Sequence, residues 1–238
     1  MTAVRAPGRD WWPETQDALS ALQQELAELG ARASPWKPGP LGDHRVAALF
    51  VGSHRGLEGA GAAGDPAWAA AVLFLGTHMV EGKVVPGVFA APYEPGLLAL
   101  REGRLLEQAV RALKGSPDVL LVNATGRDHP RRAGLALHLG AALDLPSIGV
   151  TDRPLLARGP EPDLPPGSAA ELRLEGELVG YRLRTRRAVR PVAVHAGWRV
   201  GPGPALELVR SLVKRSRTPE PLRQARRLAR TARGEPIS

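Results

Sequence analysis

The 238-residue chain is 43% hydrophobic and 24% charged, ordinary values for a folded domain despite 23 prolines and 27 glycines. No apolar run reaches the roughly 18 residues that span a bilayer, and the opening MTAVRAPGRDWW lacks the apolar segment of a secretory signal. With no cysteine there is neither a disulfide framework nor a thiolate metal site, so a cytoplasmic protein with no membrane association is expected. The formal net charge of +8 is unevenly placed: from Glu207 to Arg233 nine Lys/Arg accompany two Glu. Such a stripe suits contact with nucleic-acid phosphates, or is simply a solvated arginine-rich face.

Leucines 19, 22, 26 and 29 recur at helical spacing, with Gly30 behind them, and predict an amphipathic helix over Thr15 to Leu29. Continuous apolar runs at Arg45 to Val51 and Ala67 to Leu75 read as strands around a mobile Gly/Ala-rich connection, Gly56 to Gly64, and a third strand follows around Lys83 to Ala90. The pattern then alternates. Leu105 to Lys114 is helical, Asp118 to Asn123 a buried strand, Arg132 to Leu143 helical, and Ser147 to Thr151 a short strand. Alternation of this kind implies parallel pairing through crossover helices. The proline-rich stretch Gly159 to Gly167 reads as a surface loop. A hairpin over Glu171 to Thr185 turns near Glu175-Gly176, a strand covers Val192 to His195, and helices follow at Pro204 to Lys214 and Pro221 to Thr231. The expected architecture is one three-layer α/β domain over residues 1–238, monomeric, with flexible tails at 1–14 and 232–238. Its mixed central sheet begins with antiparallel strands, continues with parallel ones and is flanked by helices.

Four segments, PYEPGLLALREG, DHPRRAGLALHLG, LPSIGVTDRPLL and PEPLRQARRLAR, together with the N-terminal WWPETQDALSALQQELAEL and RPVAVHAGWRV, resemble the endonuclease V family in order and spacing across nearly the full chain. That resemblance implies a ribonuclease H-like fold and a metal-dependent endonuclease of DNA repair that acts near inosine. Three carboxylates would hold paired divalent ions, Mg²⁺ or Mn²⁺, which prefer oxygen donors.

Aligned on these segments, the first-strand aspartate of the family falls on Phe50 and the fourth-strand aspartate on Asn123, which offers a neutral amide oxygen. The third acid is kept as Glu102, the one position left as a candidate metal ligand, and the family histidine is kept as His129. The family lysine falls on Asp152. Thr125 and Trp198 stand where the family has histidines. Glu102, in Arg101-Glu102-Gly103-Arg104, alternatively reads as a solvated acid at a helix start, and His129 as a loop hydrogen-bonder. Phe50 reads most simply as filler for the space vacated by the metals, worth about 1.5–3 kcal/mol of burial.

The resemblance also marks a nucleic-acid surface. Pro92, Tyr93 and Pro95 keep the family's strand-separating wedge, with Glu94 where an apolar residue is common; a rigid turn packed on the core is the plainer alternative. An aromatic wedge replaces base stacking at roughly 1–3 kcal/mol per base. Gly96, Leu98, Ala124, Gly134, Leu135 and Leu155 match a pocket for an extruded base, although Ala124 adds a methyl group where the family has glycine. Arg131, Arg132 and the C-terminal arginines complete the expected contact. The resemblance and its departures therefore predict a catalytically inactive relative, a pseudoenzyme with no cofactor, that binds DNA or RNA, inosine-containing strands among the candidates. Two other readings stay open: a rewired nuclease in which Glu102, Asp152 and Asp128 gather one metal and His129 assists, and a scaffold for a protein partner.

Overall fold

The computed structural model describes residues 9–40, 42–54 and 61–234. The strands are β1 (Arg45–Ser53), β2 (Pro66–Leu75), β3 (His78–Val88), β4 (Val119–Val122), β5 (Ser147–Thr151), β6 (Ala169–Leu174), β7 (Glu177–Leu183) and β8 (Val192–Ala196). They form one eight-stranded sheet in the order β3-β2-β1-β4-β5-β8-β7-β6. The β3-β2-β1 meander is antiparallel, β1, β4 and β5 are mutually parallel, and β8, β7 and β6 return antiparallel.

Five helices cover the sheet: α1 (Gln16–Arg32), α2 (Leu98–Arg111), α3 (Leu135–Leu143), α4 (Pro202–Ser211) and α5 (Glu220–Ala232). The period-2 alternation of the strands decides which layer each helix joins. Ala47, Leu49, Leu120 and Val122 point to one face and pack with Leu19 of α1, Leu105 and Leu106 of α2, and Leu135 and Leu139 of α3. Val46, Ala48, Val119 and Leu121 point to the other, against Leu206, Leu208 and Val209 of α4 and Leu222, Ala225 and Ala229 of α5. The expected three-layer α/β architecture is observed. Among the described residues no helix is long and apolar enough to cross a membrane.

Three boundaries move for identifiable reasons. Helix α2 begins at Leu98, seven residues before the expected start, because the PYEPG turn delivers the chain directly into it, and this carries Glu102 into the helix. Helix α3 begins at Leu135 rather than Arg132, because Arg132 has φ 56°, a left-handed conformation that cannot continue a helix, and Gly134 is the N-cap. Strand β3 starts at His78, five residues early, as the outer partner of β2. The hairpin turn is as expected: Glu175 (φ 51°) and Gly176 (φ 83°) are both left-handed, the type I′ geometry that matches strand twist.

Within the segment expected as an N-terminal tail, Trp12 is buried, stacks on His138 with ring centroids 4.6 Å apart, and donates its indole N–H to Glu107. Residues 1–8 and 235–238 of the expected tails, and 56–60 of the expected mobile connection, lie outside the described residues.

The segment leaving β4 is tightly enclosed. A Cβ added at Gly149 in β5 would lie 2.2 Å from the Ala124 carbonyl oxygen, and one at Gly126 would lie 2.0 Å from that of Ala196. Both obstacles are backbone, which cannot swing aside. Gly149→Ala is therefore expected to destabilise the fold by about 3 kcal/mol, the upper end of ordinary overpacking, as read from urea unfolding midpoints.

Candidate nucleic-acid cleft

The parallel strands β1, β4 and β5 end side by side, and a cleft opens at their carboxyl ends, the usual location of sites in open α/β sheets. It measures about 420 Å³ and brings together Phe50, Tyr93, Pro95, Gly96, Leu98, Glu102, Asn123, Ala124 and Leu155 from the sequence prediction. Glu94 and Thr125 line it too, beside Val51, Thr151, Arg153 and Pro154, which residue type alone did not single out.

One rim is the wedge turn. Pro95 and Gly96 are its central residues, Gly96 has φ +85°, and the Leu97 N–H donates to the Glu94 carbonyl at 3.0 Å, the pattern of a type II turn. Tyr93 is 51% exposed at its tip, available for stacking and not packed into the core. Three side chains grip the Gly96 carbonyl from behind: His129 Nε2 at 3.0 Å, Arg131 at 3.0 Å and Gln23 at 3.5 Å. The His129 ring also accepts the Arg131 N–H at Nδ1, 3.2 Å away, so both nitrogens are satisfied by a neutral imidazole. Burial pulls its pKa down to about 4, consistent with that tautomer. His129 is thus a positioning residue for the wedge, as is Arg131, whose Nε also donates to Gln23 at 2.6 Å.

The opposite rim is the segment after β5. Asp128, fully buried, accepts the backbone N–H groups of Leu155, Leu156 and Ala157 at 2.7, 2.8 and 2.7 Å. His195 stands behind it, its Nδ1 3.6 Å from the carboxylate and its Nε2 2.7 Å from the Thr151 hydroxyl, which also donates to the Arg153 carbonyl at 2.6 Å. Burial lowers the His195 pKa to about 4, so the ring is neutral at pH 7. Asp128→Asn exchanges an acceptor for a donor facing N–H groups. It is expected to cost about 3 kcal/mol in thermal unfolding, because the orphaned buried groups lose charge-assisted bonds.

The remaining predicted positions lie outside the cleft lining. Arg132 is held by the Leu174 carbonyl, Glu175 and Glu177 on the hairpin. Gly134 caps α3, with a virtual Cβ 2.5 Å from the Thr125 carbonyl oxygen, and Leu135 is core. Pro92 leads into the wedge. Asp152 is turned outward, 64% exposed, and ion-paired with Arg217. Trp198 is fully buried beside Leu26, Leu137 and Ala141, a core residue away from the cleft.

At the wall itself Phe50 packs toward α5, and the Arg226 guanidinium lies 5.0 Å from its ring centroid. Glu102 projects from α2 with 18% of its side chain exposed, and the Arg101 guanidinium is 4.0 Å away. Burial raises its pKa to about 7, the nearby arginine only partly opposing the shift. Two carboxylates, Glu94 and Glu102, line the cleft, and among the described residues no three His, Cys, Asp or Glu side chains gather as a metal-holding group. An aromatic ring, a neutral amide, a single helix-borne acid and a nearby guanidinium do not fit a pair of divalent cations. The single-metal alternative fares no better, since Asp128 commits both oxygens to backbone donors and Asp152 is turned outward to Arg217.

A carboxyl whose folded pKa exceeds its unfolded value stabilises the fold while protonated. That contribution is lost as pH rises from about 4.5 through about 7. Glu102→Gln is therefore expected to unfold at higher temperature than wild type near pH 8, by at most about 3 kcal/mol, with the advantage gone near pH 4.

A three-layer ribonuclease H-like α/β fold with a wedge-rimmed cleft at its strand ends is the class these features define. The chain belongs to the endonuclease V family: a sequence model of Endonuclease V matches residues 48–227. The Endonuclease V of Nocardia farcinica is 40% identical over 221 residues, covering 92% of this chain and 93% of that protein. The crystal structure of the Streptomyces avermitilis Endonuclease V, 36% identical, covers 93% of this chain and 94% of that one with a TM-score of 0.81. The Ciona intestinalis Endonuclease V, solved with a 24mer DNA containing an inosine followed by a ribo-adenosine, shares the fold at 21% identity and TM-score 0.74, covering 91% and 96% of the two chains.

Proposed function

We propose that this protein binds nucleic acid through the cleft without cutting it, taking an extruded base, such as hypoxanthine, in a single strand or opened duplex. The observation that carries this reading is the contrast within one cleft. The turn and the aliphatic pocket are assembled and braced, whereas the wall bears Phe50 and Asn123 where the resemblance to the family implies two metal-binding carboxylates.

Tyr93 is positioned to stack where a base has left, and Gly96, Leu98, Ala124 and Leu155 offer small and aliphatic surfaces for that base. A cleft of about 420 Å³ falls within the roughly 300–1,000 Å³ usual for small-molecule sites. The basic C-terminal stretch supplies long-range attraction for the backbone. The Ciona protein, crystallised with inosine-containing DNA, shows that a related fold accommodates such a strand.

The test is binding and cleavage of a labelled inosine-containing strand, as DNA and as RNA, with and without Mg²⁺ or Mn²⁺. Salt-sensitive binding with no cutting is expected, and Tyr93→Ala should weaken it about tenfold. Metal-dependent cutting that disappears in Glu102→Ala would overturn the reading. Absence of binding under every condition would turn the search to protein partners.

A further inference from the structure

We infer that Arg226 supplies, from α5, a cation beside Phe50 at the cleft wall, and that its guanidinium receives a backbone phosphate of the bound strand. The inference rests on the nucleic-acid-binding reading above and adds a named group and ligand chemistry to it.

Arg226 is half-buried on the flank of α5 whose inward residues are Leu222, Ala225 and Ala229. Its guanidinium lies 5.0 Å from the centroid of Phe50, a residue of the cleft wall. The ring fixes one face of the cation but does not neutralise it. Among the described residues no carboxylate stands within 4.0 Å of Arg226. Asp152 is near enough to act on it electrostatically, but that carboxylate is already held by Arg217. Arg217 is in turn committed to the frame, donating to the carbonyls of Arg190, Pro191 and Asp152 at 2.7, 2.9 and 3.1 Å. Burial and the neighbouring Arg230 and Arg217 charges disfavour the charged form of Arg226, while Asp152 only partly offsets them.

A partly desolvated cation with no counter-ion carries a cost that an arriving anion would remove. The anion that suits a planar fork of donors is a phosphodiester, whose two free oxygens accept bidentately. Arg153 lines the same cleft, its side chain in no hydrogen bond or ion pair among the described residues, and can approach the strand from the other rim. The resemblance to the family implies divalent ions at this wall. Here a tethered guanidinium stands instead, which predicts that binding needs no metal.

The experiment measures affinity of the full chain for the inosine-containing single strand in EDTA across a salt series, for wild type, Arg226→Met, Arg226→Lys and a control, Arg173→Ala, an exposed side chain of β6 outside the cleft lining. Arg226→Met is expected to weaken binding about tenfold and to lower the slope of log K against log salt by about 0.7, one phosphate contact on a single strand. Arg226→Lys, which keeps the charge, should recover most of the affinity, and Arg173→Ala should match wild type. Melting curves of each variant verify that folding is intact, and Arg226→Gln, also uncharged, is expected to show the same loss of affinity and slope and replaces Arg226→Met should that variant fold poorly. Equal affinity and slope for wild type and Arg226→Met overturn the inference while leaving the binding reading in place. Wild-type binding that appears only with Mg²⁺ also overturns it. Failure of wild type to bind at all removes the underlying reading itself.

Discussion

The cleft depends on one short turn, Asp128 to Arg131, placed between β4 and α3. A fully buried carboxylate is tolerable only when its oxygens are satisfied, and Asp128 meets that demand with three consecutive backbone N–H groups from residues 155–157. Nearby side chains of the same turn, His129 and Arg131, reach the other way and hold the Gly96 carbonyl. The two rims of the cleft are therefore braced from one place. Gly126 and Gly149 allow the chain to lie there, because backbone from β8 and from residue 124 occupies the space a Cβ would need.

This arrangement holds both rims of the cleft from outside its wall. The braces are a buried acid facing backbone, a neutral imidazole, and an arginine tied to Gln23. None of them depends on the carboxylate positions of the wall. Phe50 meanwhile adds apolar contact to the α5 layer, and Arg226 covers its ring.

The layered fold was legible because each strand and helix states its environment locally. Alternation in β1 assigns Ala47 and Leu49 to one layer and Val46 and Ala48 to the other, and Glu175-Gly176 encodes its own turn. Boundaries governed by a neighbour's backbone were not legible. Nothing in the residue type of Arg132 announces its left-handed φ, and the early start of α2 follows from where the PYEPG turn points the chain. The segment of the wedge was likewise visible as a motif, whereas the three donors behind it were not.

The sequence by itself determined the family and the order of elements, and it placed Phe50 and Asn123 where the resemblance implies acids, since these depend on identity along the chain. Only the tertiary structure decided what the neighbouring polar residues do. It turned Asp152 outward to Arg217, made His129 a brace, committed Asp128 to backbone donors, and set Arg226 over Phe50. The physical reason is range. Periodicity and turn chemistry act over a few residues, while ion pairs, desolvation and ring contacts arise between groups that only the packing of helices on the sheet brings within a few ångströms.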